Sequence, residues 1–149
     1  MKIANSVKIS VFVKEGEDEL KIIDKLLSII PFDIEKEKIV LSQQTTTGFN
    51  EKKIKIFEIL LAKDRHIEGF LNNLIKNLDQ GTKELILSQA ESRLDDECNF
   101  FLRFNKENLI REDDFWLTDQ GNCFHIKINL AAFPKKKEAA LEIVRKLFK

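Results

Sequence analysis

Three consecutive lysines, Lys135, Lys136 and Lys137, follow Pro134 where a helix is expected to begin. A helix start carries a positive partial charge, so each cation there costs about 0.3–1 kcal/mol at low salt. Free backbone N–H groups and three ammonium groups aimed one way make a phosphate site. Without a ligand, the same residues make a solvated basic turn. Arg145, Lys146 and Lys149 continue the positive charge along the helix. Glu17-Asp18-Glu19, which opens an earlier helix, obeys the dipole that these lysines defy.

A second group of cations follows from a period of two. Val7, Ile9, Val11 and Val13 alternate with Lys8, Ser10, Phe12 and Lys14, a strand with one buried face. If the aliphatic set faces the helices, the other set faces away. The same rule assigns Lys53, Lys55, Phe101, Arg103, His125, Lys127 and Asn129 to the outer face. Basic residues with interleaved aromatics suit a stacking platform for single-stranded RNA. An ordinary solvated sheet face has the same pattern, as does a homodimer interface through Phe12 and Phe101. Trp116 stands between Phe115 and Leu117 and should point opposite to them, with packing at a strand edge its expected role.

Other chemistries are less well supplied. Asp95-Asp96-Glu97 and Glu112-Asp113-Asp114 offer carboxylates for Mg²⁺ and hence a metal-dependent nuclease, but neighbouring carboxylates on turns diverge. Cys98 and His125 are a possible nucleophile and base with no oxyanion site or third partner, and a structural role is expected for both. The same role is expected for His66 beside its helix start. Two cysteines do not build a zinc ribbon, and the scattered glycines form neither G-x-G-x-x-G nor a P-loop. No cofactor or metal is expected. No apolar run approaches a membrane span, and Met1-Lys2-Ile3-Ala4-Asn5 lacks a signal h-region, so the expected address is cytoplasmic.

The elements that must position these groups follow from apolar spacing. After the first strand, a helix opens at Glu17–Glu19, carries Leu20, Ile23, Leu26, Leu27 and Ile30, and is closed by Pro31. Residues 34–44 and 50–61 read as strands joined across Thr45-Thr46-Thr47-Gly48-Phe49. Asp64 is a candidate cap for a helix through Ile67, Phe70, Leu71, Leu74, Ile75 and Leu78. Asp79-Gln80-Gly81-Thr82 stops it and caps another helix running to about Arg93. Strands follow at Phe100–Phe104, Phe115–Leu117 and Phe124–Leu130, then a helix from Pro134. The order β-α-β-β-α-α-β-β-β-α predicts an α+β two-layer sandwich, with helices on one face of a largely antiparallel sheet. At 149 residues and with no linker or repeat, residues 1–149 are expected to form one domain.

Two resemblances bear on function. Residues 82–148 resemble a double-stranded-RNA-binding domain in element order, and Lys135-Lys136-Lys137-Glu138-Ala139-Ala140 is similar to the K-K-x-A-A stretch opening that domain's second helix. The acidic loop Asn105–Asp114 departs from it by lacking the Gly-Pro-x-His of the family. A wider resemblance rests on Val7–Val13 with Gly16-Glu17-Asp18-Glu19, then Glu91-Ser92-Arg93-Leu94-Asp95-Asp96 running into Phe101–Lys106, then Ala132-Phe133-Pro134-Lys135-Lys136-Lys137. In that order they resemble an archaeal family of small RNA-binding proteins predicted to be exosome subunits. That family is itself similar to the large-subunit ribosomal protein that holds 5S RNA. The resemblance implies RNA as partner, exosome association and archaeal origin, and brings no catalytic residues.

Net charge is zero, with 25 Lys/Arg against 25 Asp/Glu, which excludes a uniformly basic coat. Residues 135–149 nevertheless hold six Lys/Arg against two acids, and residues 91–119 hold four against nine. The resulting expectation is a non-enzymatic RNA-binding accessory protein of the exosome. Lys135, Lys136, Lys137, Arg145, Lys146 and Lys149 are its main phosphate contacts; Lys8, Lys53, Lys55, Arg103 and Lys127 are a second surface. The alternatives are a protein-binding adaptor or homodimer using Phe12, Phe101 and Trp116, and then the nuclease.

Overall fold

The strand at Val7–Val13 is longer than its aliphatic core and lies at the centre of the sheet. The computed structural model describes residues 2–149. β1 (Ala4–Lys14) pairs antiparallel with β3 (Lys53–Leu61) on one side and β5 (Cys123–Leu130) on the other. β2 (Leu41–Thr47) adds beyond β3 and β4 (Asn99–Asn105) beyond β5, giving the order β2-β3-β1-β5-β4. Every neighbouring pair is antiparallel, as the alternation of buried and exposed residues requires. Val7, Ile9 and Val11 stand between Leu61, Ile59 and Phe57 on β3 and Ile128, Ile126 and Phe124 on β5. These residues are all buried and form the sheet's contribution to one core.

Helices α1 (Glu19–Ser28), α2 (Asp64–Asn77), α3 (Gln80–Ser88) and α5 (Lys137–Leu147) supply the other layer. Their buried residues include Ile22 and Leu26, Phe70 and Leu74, Ile86, and Ala140 and Val144. The α+β architecture agrees with the expected class, and the element order agrees except at the eighth element, which is a helix where a strand was expected. The stripe of α1 is rotated from the expected one, because Leu20 is 73% exposed and Ile22, Leu26 and Ile29 are inside. Asp18 caps this helix by accepting from the Lys21 N–H, and Asp79 caps α3 by accepting from Thr82. Asp64 is the first residue of α2 and not its cap; Lys63 takes that position without a side-chain bond.

Three segments differ from the sequence expectation. Residues 34–40 are not part of a strand: Ile34 and Ile39 bond to each other through the backbone, and Glu37 reaches back to His66 at 2.9 Å. That buried histidine also packs on Phe32, with ring centroids 5.0 Å apart. The expected strand Phe115–Leu117 is reduced to one bridge, Leu117 to Phe104, and Phe115 packs edge-on against Phe104. The last helix begins at Lys137 rather than Pro134, since Lys136 is still extended at φ −136° and ψ 155°.

The unexpected element is α4 (Lys106–Glu112), a short helix capped by Asn105. Lys106 is 2% exposed, and its ammonium donates to the Phe12 carbonyl at 2.5 Å and to the Glu17 carboxylate at 3.2 Å. This pair, buried at the lysine and partly exposed at Glu17, ties α4 to the β1–α1 turn. At the other end of α4, Asp113 closes the helix in a left-handed conformation and pairs with Lys25 of α1. Removing one partner of a buried pair strands the other charge. Glu17→Ala should therefore destabilise the protein by about 2–4 kcal/mol. A urea unfolding midpoint equal to that of the parent would exclude this anchoring role.

Candidate nucleic-acid interface

The face of the sheet opposite the helices is set by register. Lys8 stands opposite Lys127, and Lys127 opposite Phe101, forming one row across β1, β5 and β4. Ser10, His125 and Arg103 form the next row. Like charges placed directly opposite one another are unfavourable in an antiparallel pair. Among the described residues, no carboxylate lies within 4.0 Å of Lys8, Lys127 or Arg103 to offset this. Arg103 instead donates to the Asp119 carbonyl at 3.2 Å.

His125 lies among these cations. Its ring packs on Phe101 with centroids 5.6 Å apart and planes inclined by 34°. Burial holds its pKa below the ordinary histidine value, and the charges of Arg103, Lys8 and Lys127 depress it further. The imidazole is therefore neutral at pH 7, within a positive field from three strands. Arg93, from the turn after α3, joins the rim. Its guanidinium donates to Gln89 at 2.6 and 3.0 Å and to the Phe101 carbonyl at 3.4 Å. Burial lowers its pKa too, but a guanidinium stays charged in any case. Sequence periodicity had no means of finding Arg93, because it belongs to an irregular turn. Its only signal was its occurrence in the Glu91–Asp96 motif.

The other expected cations are elsewhere. Lys55 pairs in register with Val13, and hence Lys53 and Lys55 belong to the helix side of the pleat. Lys55 forms an ion pair there with Glu19 at 2.8 Å. Their assignment to the outer face is thus corrected: Phe57, Ile59 and Leu61 are buried, and residues of the same parity share their side. Lys135 precedes α5 and is bound to Glu97 at 2.9 Å, which raises its pKa. Lys136 and Lys137 are exposed at a helix start with no side-chain cap. Arg145 and Lys146 are exposed in the last turn of α5, and Lys149 lies beyond it. Eight residues at 1.5 Å rise separate Lys137 from Arg145 by about 12 Å, so the helix cations form no single cluster.

The catalytic alternatives lack converging groups. Asp95 directs both oxygens at the Asn99 backbone, the Asn99 side chain and the Glu97 N–H. Among the described residues, no group of three His, Cys, Asp or Glu is arranged to hold a metal. The Leu130 N–H bonds to the Cys98 carbonyl, five residues along β5 from His125, which separates the two side chains by about 17 Å. Trp116 is 60% exposed rather than packed at the edge, whereas Phe115 and Leu117 pack against the core. Among the described residues, no helix is long and apolar enough to cross a membrane.

A depressed histidine pKa has a defined consequence for stability. The unfolded chain takes up the proton first, so the contribution is complete above the unfolded value, about 6.5. It is lost as pH falls below that value and through the folded one. Thermal unfolding should therefore move to lower temperature between pH 7 and pH 5, and less so in His125→Gln. Parallel pH profiles for the two proteins would contradict the assigned environment.

The chain matches a family model described as RNA binding over residues 6–130. It is 26% identical over 142 residues to RNA-binding protein PAB1135 of Pyrococcus abyssi, covering 95% of this chain and 92% of that protein. Uncharacterized protein MJ0213 of Methanocaldococcus jannaschii is 30% identical over 141 residues, covering 90% of each. The crystal structure of AF2318 from Archaeoglobus fulgidus superposes with a TM-score of 0.84 at 27% identity, over 98% of this chain and 99% of that one. The matched family model spans most of the sheet and both rows of the open face, and the chain belongs to this RNA-binding family, together with the archaeal proteins it resembles.

Proposed function

We propose that this protein binds RNA without cleaving it, through the open face formed by β1, β5 and β4. The observation that carries this reading is the convergence of Lys8, Arg103 and Lys127 on the Phe101–His125 pair, with no carboxylate partner among the described residues. Three cations held together at the cost of mutual repulsion are relieved by an anion. Phosphates meet that need and aromatic rings accept bases. Lys136 and Lys137 add phosphate contacts at the start of α5, while Lys135 must exchange Glu97 for a phosphate to take part. Arg145, Lys146 and Lys149 act as a more distant, electrostatic extension.

The cellular role we propose is that of an accessory subunit of the archaeal exosome, in the cytoplasm, delivering RNA that other subunits degrade. Its support is the family resemblance of Val7–Val13 with Gly16–Glu19, of Glu91–Asp96 running into Phe101–Lys106, and of Ala132–Lys137, together with the proposed RNA-binding face.

Each phosphate contact removed should lower the slope of log affinity against log salt by about 0.7 on a single strand. Replacing Lys8, Arg103 and Lys127 together by alanine should lower it by about 2. The Lys135/Lys136/Lys137→Ala variant should lose less. If the first variant keeps the parent's affinity and slope, the open face is not the binding surface. Copurification of the tagged protein from an archaeal extract should recover exosome subunits and RNA. Recovery of RNA alone would remove the exosome role.

A further inference from the structure

Beside the cationic rows, the open face has a depression whose shape follows from side-chain size. Ser10, Cys123 and Gly121 are small and form a low floor, while Phe12, His125 and Arg103 stand around it. The cleft encloses about 200 Å³, below the roughly 300–1,000 Å³ typical of sites for drug-sized ligands. It fits a single ring system.

Register defines the spacing of its walls. Ser10 is opposite His125, so Phe12, two residues along β1, is the diagonal neighbour of His125. Diagonal residues on adjacent antiparallel strands lie about 7–8 Å apart. Two aromatic contacts at about 3.5–4.0 Å each need the same separation. Phe12 and His125 both line the cleft, so a planar ring entering it has an aromatic wall on either side. The other diagonal of His125, toward Phe101, is already closed at 5.6 Å. The imidazole thus has one side occupied by Phe101 and the other open to the cleft.

The polar groups around the cleft are unspent. Among the described residues, neither the Ser10 hydroxyl nor the His125 ring nitrogens bond to another side chain or to the backbone, and Arg103 commits one nitrogen to Asp119. No fully buried side-chain nitrogen or oxygen among these residues lacks a partner, so these free groups are the ones open to solvent in the cleft. Their neutral imidazole, hydroxyl and guanidinium offer both donors and acceptors at the edge of an apolar slot. Lys8, Lys127 and Arg103 lie on one side of the slot, and Lys14 follows Phe12 on the same face of β1 on the other.

We propose that this cleft receives one unpaired nucleobase, stacked between Phe12 and His125, which makes single-stranded RNA the substrate class. The base adds one ring to the Phe101–His125 contact, and its flanking phosphates lie on the cations to either side. A base inside a duplex is stacked on both faces by its neighbours and has no face to offer. The proposal rests on the RNA-binding reading of the open face.

The test compares a single-stranded oligoribonucleotide with the duplex of the same sequence, on the full chain. The single strand should bind at least about 10-fold more tightly. Phe12→Ala should weaken single-strand binding roughly 10-fold or more and leave the salt slope unchanged, since no phosphate contact is lost. Phe12 is 43% exposed, so the variant should fold, which circular dichroism checks. Phe12→Trp should restore binding. Duplex affinity equal to that of the single strand, or Phe12→Ala binding as the parent does, overturns the base slot while leaving the RNA surface intact. A parent slope unaffected by the Lys8/Arg103/Lys127 variant instead removes the underlying reading. A stable dimer at working concentration that buries Phe12 also overturns the slot.

Discussion

The pleat of β1 governs both the stability of this protein and its binding surface. A central strand with partners on both edges has only two faces, and its side chains must alternate between them. Val7, Ile9, Val11 and Val13 take the helix side, where burying an aliphatic side chain is worth about 1.5–3 kcal/mol. Lys8, Ser10 and Phe12 are then committed to the other side. A slip of one residue would bury the lysines and expose the valines. The energy that forms the core therefore holds the cations and the aromatic of the open face in register. Lys106 adds a second restraint, because its ammonium grips the carbonyl of Phe12 itself.

Charge is organised locally within a neutral molecule. Lys8 and Lys127 face each other across β1 and β5, and burial, with the field these lysines share with Arg103 added, depresses the pKa of His125. Several acids of residues 91–119 are engaged elsewhere. Asp95 braces its own turn, Asp113 pairs with Lys25, and Glu97 holds Lys135. Such an arrangement limits non-specific attraction to polyanions while leaving one positive patch. It also leaves the lysine run at 135–137 less free than its pattern implies. One of the three is neutralised by a residue 38 positions away, which no local reading can detect.

Where a strand is buried on one face, parity was readable only when its anchor residues were chosen correctly. Lys53 and Lys55 illustrate this. They alternate with Ile54 and Ile56, so either set is an acceptable core face until Phe57, Ile59 and Leu61 decide it. α4 escaped notice because a helix this short carries too few apolar residues to define a period, and tertiary contacts of Lys106 and Leu109 stabilise it instead. Residues 34–40 have strand-like alternation, yet the segment folds back through Glu37 to His66. Trp116 is exposed because the strand that would have packed it is reduced to the single bridge at Leu117.

The sequence by itself determined the α+β class, the antiparallel character of the sheet, the aliphatic face of β1 and the identity of Lys8, Arg103 and Lys127 as outward cations. These depend on side-chain periodicity, which is a local property of the backbone. Only the tertiary structure decided that β5 lies beside β1, bringing Lys127 and His125 against Lys8 and Ser10. It likewise decided which lysines already have partners, and that small side chains at Ser10 and Cys123 leave a slot beside Phe12. Strand order, ion pairing and empty space are relations between distant parts of the chain, set by how the core packs and not by the spacing of residues along it.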